Sequence, residues 1–283
     1  MTNPMILDGK ALAKKIRKEL KTKTKAFQKT PGLAVILVGE NPASKVYVSS
    51  KQKKAKALGW HSVLIELPSE TTKEDLTQTI EGLNKDDSIH GILLQLPLPD
   101  HLSADDHIPQ IVPHKDVDGF HPINVGKLAL GWDGFVPCTP LGVIRILEEY
   151  DIPILGQNVV VIGRSMIVGH PMAELLLKKR ASVSILHSKT RDMKEYTRNA
   201  DIIVSATGIL DLIGPDHLGR HCTLIDVGIT RKDDGTLAGD LQYAKLLESP
   251  HCKAITPVPG GVGPMTIAML LENTLKAFEA STR

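Results

Sequence analysis

Val159-Val-Val-Ile-Gly-Arg-Ser-Met-Ile-Val-Gly-His-Pro171 decides the fold of the second half of the chain. The apolar run over residues 159–162 ends at Gly163. After a polar turn, Gly169 and Pro171 open a segment whose apolar residues, Met172, Leu175 and Leu176, have helical spacing. The order is strand, glycine turn, helix. Such a turn lets backbone approach a phosphate closely, and the helix N-terminus offers unpaired N–H groups to an anion. The glycines are spaced Gly-x-x-x-x-x-Gly and not G-x-G-x-x-G. A buried strand-turn-helix that holds no ligand has the same pattern.

Just outward, Ser182-Val-Ser-Ile-Leu-His187 reads as the next strand and runs into Ser188-Lys189-Thr190. Sites for NAD usually place an Asp or Glu here, on the ribose 2′-hydroxyl. This chain has Ser188 and Lys189, with Arg164 back in the turn. Hydroxyl and cationic groups suit a 2′-phosphate. The residue types therefore favour NADP over NAD. The bland alternative is that Lys189 and Arg191 form a solvated loop edge. Further short apolar runs at residues 202–204, 223–227 and 254–255 bring the count to five strands with helices between them, a doubly wound sheet.

The first half repeats the alternation. Asp8 caps a first helix with Leu12, Ile16 and Leu20 on one face. Residues 33–38 are continuously apolar, hence a buried strand. Asn41 is a good N-cap and Pro42 suits the first helical position, with Gly59 ending that helix. Residues 63–67 form the next strand. Thr71-x-x-Glu74 has the capping-box pattern and opens a helix with Leu76, Ile80 and Leu83. Residues 91–96 form a third strand, stopped by Pro97 and Pro99. Strands alternating with helices imply parallel pairing with crossovers.

Residues 112–138 are rich in Gly, Pro, Asp and His and read as one long irregular segment. A helix follows from Thr139-Pro140 to about residue 149. Pro257-Val-Pro-Gly-Gly-Val-Gly-Pro-Met-Thr266 reads as a rigid loop. The last helix, about residues 266–280, carries Ile267, Leu270, Leu271 and Leu275, and its place is back against the first domain. The fold class is α/β: two α/β domains flanking a cleft, the second a Rossmann-type doubly wound parallel sheet. The first domain comprises residues 1–138 plus 266–283, and the second residues 139–265.

The totals agree. With 283 residues, of which 42% are hydrophobic, the chain can build two ordinary cores. A formal net charge of +2 argues against a broad nucleic-acid footprint. Three cysteines without close pairs fit a reducing compartment. Met1-Thr-Asn-Pro-Met-Ile-Leu-Asp8 lacks the pattern of a signal peptide, and no apolar run approaches the roughly 20 residues of a membrane span. The expectation is a cytoplasmic protein that binds neither membrane nor nucleic acid.

Several residues are equipped for chemistry. Tyr47 and Lys51 lie four apart on the helix after Pro42, on one face. A partly buried Lys is a usable acid or base. The same helix also carries Lys53, Lys54 and Lys56, and a Lys-rich face is usually only solvated. Gln95 stands at the end of a strand, where ligands of open α/β sheets bind. Asp116 and Asp118, in Lys115-Asp-Val-Asp-Gly119, suit a ligand with paired N–H donors, such as an aminopyrimidine ring. They equally suit a turn before a glycine. No His/Cys pair has metal-ligand spacing, so no metal is assigned. Cys138 reads as packed and inert, and Ser165 lacks a nucleophile-elbow setting.

Taken in order, Tyr47-Val-Ser-Ser-Lys51, Gln95-Leu-Pro-Leu-Pro99, Lys115-Asp-Val-Asp-Gly119, Gly163-Arg-Ser165 and Pro257-Val-Pro-Gly-Gly-Val-Gly-Pro-Met-Thr266 resemble the bifunctional methylenetetrahydrofolate dehydrogenase/cyclohydrolase family. The resemblance spans essentially the whole chain, and the last motif is long and specific. It implies NADP-dependent oxidation of 5,10-methylenetetrahydrofolate to the methenyl cation, and hydrolysis of that cation to 10-formyltetrahydrofolate. It makes Lys51 the acid/base of the hydrolysis, tuned by Gln95. Tyr47 stacks near the pterin and Asp118 holds it. The implied folate-binding set is Tyr47, Lys51, Gln95, Leu96, Asp118, Pro259, Gly260 and Gly261. The implied cofactor set is Gly163, Arg164, Ser165, Ser188 and Ile229. A cytoplasmic homodimer formed through the cofactor domain is also implied. Two other readings stay open: a dehydrogenase without the hydrolase step, which the intact Tyr47, Lys51 and Gln95 argue against, and a silent nucleotide-binding scaffold.

Overall fold

A computed structural model describes residues 3–282. In chain order the strands are β1 (Met5–Ile6), β2 (Gly32–Val38), β3 (His61–Leu67), β4 (Gly91–Leu94), β5 (Asn158–Ile162), β6 (Ser182–Leu186), β7 (Ile202–Ser205), β8 (Cys222–Asp226), β9 (Thr230–Arg231), β10 (Leu237–Ala238) and β11 (Cys252–Ile255). The helices are α1 (Gly9–Thr24), α2 (Pro42–Ala57), α3 (Lys73–Lys85), α4 (Ala104–His107), α5 (Pro122–Ala129), α6 (Cys138–Glu149), α7 (Gly169–Lys178), α8 (Met193–Thr197), α9 (Tyr243–Leu247) and α10 (Val262–Ser281). They form two compact units. One holds Thr139–Thr266 with the chain up to Lys14, and the other holds Lys15–Cys138 with the chain from Ile267 onward.

The second of these units is built on a three-stranded parallel sheet, in the order β3-β2-β4. All seven residues of central β2 are buried, which explains its unbroken apolar sequence. Ala34, Ile36 and Val38 pack with Leu76, Ile80 and Leu83 of α3. Each large aliphatic side chain removed from water there contributes about 1.5–3 kcal/mol.

Asn41 caps α2 by accepting from the Ser44 N–H at 3.1 Å, with Pro42 in the first turn. The cap of α3 falls one residue later than its sequence pattern suggests. Thr72, not Thr71, accepts from the Asp75 N–H (3.1 Å), while the Thr71 hydroxyl donates to Pro68 O at 2.7 Å. The segment expected to be irregular contains α5, whose N-cap is a histidine: His121 Nδ1 accepts from Ile123 N–H at 3.0 Å. The last helix starts at Val262, four residues before its expected start. Its later part packs on this unit. Asn273 Nδ2 donates to Val117 O (2.8 Å) and Val136 O (3.0 Å), and the Phe278 and Phe27 ring centroids are 5.4 Å apart.

The other unit is built on a six-stranded sheet, in the order β1-β11-β8-β7-β5-β6, parallel throughout. The chain enters at β5, steps outward to β6, and crosses back over β5 to β7. That reversal is the switch point of a doubly wound, Rossmann-like sheet. The five expected strands are present.

A sixth strand, β1, adds itself to the edge beside β11. Residues 3–14 group with this sheet, whereas the sequence reading places them with the first domain. Backbone bonds carry the change, with Leu7 N–H to Ile255 O at 2.9 Å and Lys10 N–H to Gly260 O at 2.8 Å. A two-residue strand has no periodicity to read.

Candidate active site

In the three-stranded unit, the register of α2 puts Tyr47 one turn before Lys51. The Lys51 ammonium donates to Gln95 Oε1 at 2.9 Å. Gln95 follows β4 directly, and its own N–H still donates to Ile36 O at 2.9 Å. Its side-chain Nε2 donates to Leu96 O at 2.6 Å, which turns Oε1 toward the lysine. The amide orientation is thus fixed by two partners of opposite polarity. Tyr47 is 40% exposed, so a ligand can reach its ring.

Lys115-Asp-Val-Asp-Gly119 divides into structural and available halves. Lys115 is buried, and its ammonium donates to three carbonyls at the end of α3: Leu83 (3.1 Å), Asn84 (2.9 Å) and Asp86 (2.8 Å). Burial pushes that ammonium's pKa down, with Asp86 and Asp87 opposing. Asp116 accepts from the N–H groups of Phe120 (3.3 Å) and His121 (2.8 Å) and from Asn124 Nδ2 (2.8 Å), so it builds the turn into α5.

Asp118 is half-buried. Burial pushes its carboxyl above the usual range, the Lys51 charge pulls it back, and Asp116 raises it again. The Cys138 thiol lies 3.5 Å from its Oδ1. Burial also pushes that thiol's pKa well up, which fits a packed, unreactive cysteine.

In the six-stranded unit, the candidate cofactor residues follow the carboxyl ends of three strands. Gly163 follows β5 with φ +117°, and a Cβ there would overlap Ala206 O, in the loop after β7. Only glycine lets those two loops meet. A Cβ at Gly169 would likewise overlap Gly163 O. Arg164 and Ser165 are exposed in the turn, Ser188 is exposed after β6, and Ile229 is 40% exposed after β8.

The start of α7 differs from expectation. Ser165 engages its N–H groups: Oγ accepts from Val168 (3.2 Å) and Gly169 (3.4 Å), and the Ser165 carbonyl accepts from His170 (3.0 Å). Ser165 thus already engages N–H groups at the start of α7, which leaves Arg164 as an exposed cation in the turn.

Beneath these loops, Asp226 and Asp240 are both buried. Asp226 accepts from the N–H groups of Gly228 (3.1 Å), Asp240 (3.0 Å) and Leu241 (3.0 Å). Asp240 Oδ2 accepts from the Ser205 hydroxyl (2.7 Å) and from Thr207 N–H and hydroxyl (both 2.8 Å).

These arrangements coincide with known families. Residues 7–118 match the catalytic domain of tetrahydrofolate dehydrogenase/cyclohydrolase, and residues 137–282 match its NAD(P)-binding domain. This chain belongs to the tetrahydrofolate dehydrogenase/cyclohydrolase family.

The bifunctional protein FolD of Campylobacter concisus is 52% identical over 278 residues, covering 97% of this chain and 98% of the relative. A solved bifunctional FolD methylenetetrahydrofolate dehydrogenase/cyclohydrolase from Campylobacter jejuni superposes with a TM-score of 0.95 at 50% identity, over 98% of this chain and 99% of that one. The Trypanosoma brucei dehydrogenase-cyclohydrolase, solved with NADP and an inhibitor, gives a TM-score of 0.94 at 38% identity over 100% of both chains.

Within this family member, Tyr47, Lys51, Gln95, Leu96 and Asp118 all lie in the three-stranded unit. Pro259, Gly260 and Gly261 belong to the six-stranded unit, after β11. There Gly260 takes φ +114°, and a Cβ at Gly9 would overlap Gly261 O. Sequence reasoning missed the division of labour in Lys115-Asp-Val-Asp-Gly119 and the paired acids Asp226 and Asp240. Each of those acids stands near a glycine, in Asp226-Val-Gly228 and Gly239-Asp240, and that local pattern is the signal that was available.

Proposed function

We propose that this chain performs two consecutive reactions on one folate: NADP-dependent oxidation of 5,10-methylenetetrahydrofolate to the methenyl cation, then hydrolysis of the cation to 10-formyltetrahydrofolate. The observation that carries the reading is the 2.9 Å bond from the Lys51 ammonium to Gln95, with the half-buried Asp118 carboxyl within reach of the Lys51 charge. Hydrolysis needs a proton taken from the attacking water and one returned to the departing ring nitrogen. A positioned amine serves both steps. Gln95 orients Lys51, Tyr47 stacks on the pterin, and Asp118 accepts from its paired N–H groups. Leu96 and the Pro259-Gly260-Gly261 backbone complete the folate contacts. The intact Lys51–Gln95 pair favours the bifunctional reading over a dehydrogenase alone.

NADP supplies the nicotinamide that accepts hydride in the first reaction. The residues present fit it: a glycine turn with no room for a Cβ, an exposed Arg164 and Ser188 in place of an acidic ribose partner, and Ser165 shaping the turn. The Trypanosoma brucei relative was solved with NADP. Ile229, 40% exposed after β8, is assigned an apolar contact with the cofactor. The oxidation leaves a cation delocalised over two nitrogens, so this chain's task there is orientation and not proton transfer. We place the protein in the cytoplasm as a homodimer through its six-stranded unit. Among the described residues, no helix is long and apolar enough to cross a membrane.

A single assay tests the reading. Protein, 5,10-methylenetetrahydrofolate and NADP are mixed, and NADPH and methenyl absorbance are followed together. The bifunctional enzyme produces NADPH with methenyltetrahydrofolate held below it. Equal accumulation of the two would indicate a dehydrogenase alone, and no NADPH would reject the reading.

A further inference from the structure

Asp226 and Asp240 are fourteen residues apart and fully enclosed, and no step of the proposed chemistry uses them. Their packing is reciprocal. A Cβ at Gly228 would overlap the Asp240 carboxylate, and a Cβ at Gly239 would overlap the Asp226 carboxylate. Each acid therefore sits against the glycine next to the other, and both glycines are required by that fit.

The bonds join four segments. Asp240 Oδ2 gathers Ser205 at the end of β7 and Thr207 just beyond it, over 2.7–2.8 Å. Asp226 ends β8 and holds the N–H of Gly228, immediately before Ile229, at 3.1 Å. It also holds the N–H groups of Asp240 and Leu241, both at 3.0 Å, which ties the returning segment to the strand end. Thr256 Oγ1 accepts from the Asp226 N–H at 2.7 Å, adding the end of β11. Next to Thr207, Ala206 is the residue against which the Gly163 turn packs. The loop bonded by Asp240 and the turn proposed for the cofactor phosphates are thus in direct contact.

We propose that Asp240 and Asp226 are positioning residues for the NADP site: a carboxyl lock that fixes the loops after β7 and β8, and through them Ile229 and the Gly163 turn. This rests on the proposed cofactor site. Neither acid touches the cofactor. Each acts by holding backbone that does.

The lock acts through accepted hydrogen bonds, so shape and acceptor count should matter more than charge at Asp240. Among the described residues its Oδ1 takes no hydrogen bond, while Oδ2 takes three. Asparagine can keep those three through its carbonyl oxygen. Alanine loses all of them and strands the Ser205 and Thr207 donors in a buried place.

The test uses full-length wild-type protein, Asp240→Ala, Asp240→Asn and Ser205→Ala. NADP is titrated calorimetrically for affinity and stoichiometry. The KM for NADP and kcat of the dehydrogenase are measured beside hydrolysis of methenyltetrahydrofolate without cofactor. Asp240→Ala should raise the Kd and KM for NADP tenfold or more, while stoichiometry stays at one and hydrolysis stays near wild type. Asp240→Asn should stay within about threefold of wild type.

Ser205, fully buried, removes one donor and reads the lock without emptying it, so it serves if Asp240→Ala does not fold. Ser205→Ala should raise Kd severalfold. Wild-type affinity in both Asp240→Ala and Ser205→Ala would overturn the proposal, as would Asp240→Asn binding as poorly as Asp240→Ala. A wild-type protein that binds no NADP would overturn both this inference and the functional reading beneath it.

Discussion

At the scale of single residues, the proposed cofactor preference turns chiefly on Arg164. It is exposed beside a turn whose N–H groups Ser165 already engages, so its guanidinium is a charged group available to a 2′-phosphate. Losing one charge-assisted contact costs about 1.5–3 kcal/mol, roughly 10- to 150-fold in affinity. Arg164→Ala should weaken NADP binding by that factor and leave NAD binding nearly unchanged. Equal losses for both would put the discrimination elsewhere.

Asp226 gives a second prediction at this scale. Burial raises its carboxyl from 3.8 to about 6, outweighing the N–H groups of Asp240, Leu241 and Gly228 that stabilise its anion. The folded state then binds this proton more tightly than the unfolded state. The stability it contributes is fully present below about pH 4 and is lost as pH rises through about 6, on the order of 2–3 kcal/mol. Denaturant midpoints of wild type and Asp226→Asn, compared at pH 4.5 and 7.5, should show wild type losing ground to the variant as pH rises. A pH-independent difference would contradict the burial argument.

At the scale of elements, α2 shows most directly how sequence becomes site. Asn41 caps it, Pro42 starts it, and the register that follows puts Tyr47 and Lys51 on one face. Asn41→Ala should cost about 1 kcal/mol of stability, as N-cap losses generally do. It should leave hydrolysis near wild type at temperatures well below melting. The check is the denaturant midpoint, with Asn41→Ser as a control that recovers most of the loss; a loss of activity without loss of stability would show that the cap also sets catalytic geometry.

Strands and caps of this kind were legible because their signals are local. β2 reads as buried from six apolar residues in a row, 33–38, and β5 from the run before Gly163. Elements whose determinants are remote were not legible. β1 is two residues that gain meaning only beside β11. α5 is opened by a histidine cap, an unusual choice. Thr71 and Thr72 are both cap residues by type, and only the fold says which one accepts from Asp75. Among the candidate site residues, Lys51 and Gln95 are drawn together as the motifs suggested. Lys115 and Asp116, three residues and two residues before Asp118, are consumed by backbone groups. Composition cannot separate a carboxylate that builds a turn from one that awaits a ligand.

At the scale of the whole molecule, the proposed sites divide the chemistry as the chain divides its structure. Proton handling is assigned to the three-stranded unit, through Lys51 and Gln95, with Asp118 holding the pterin there. Cofactor binding is assigned to the six-stranded unit, through the ends of β5, β6 and β8. Helices α1, α6 and α10 each begin in one unit and end in the other, so the chain passes between them repeatedly. A division of this kind makes the two activities separable by a single substitution. The most direct measurement is the pair of rates in Lys51→Met. Hydride transfer needs no proton from Lys51, whereas hydrolysis does, and a positioned acid/base is typically worth 10²–10⁴-fold. The account predicts a cyclohydrolase rate lower by about that factor, a smaller fall in dehydrogenase rate, and methenyltetrahydrofolate accumulating beside NADPH. Release of 10-formyltetrahydrofolate by Lys51→Met at a near wild-type rate would contradict it.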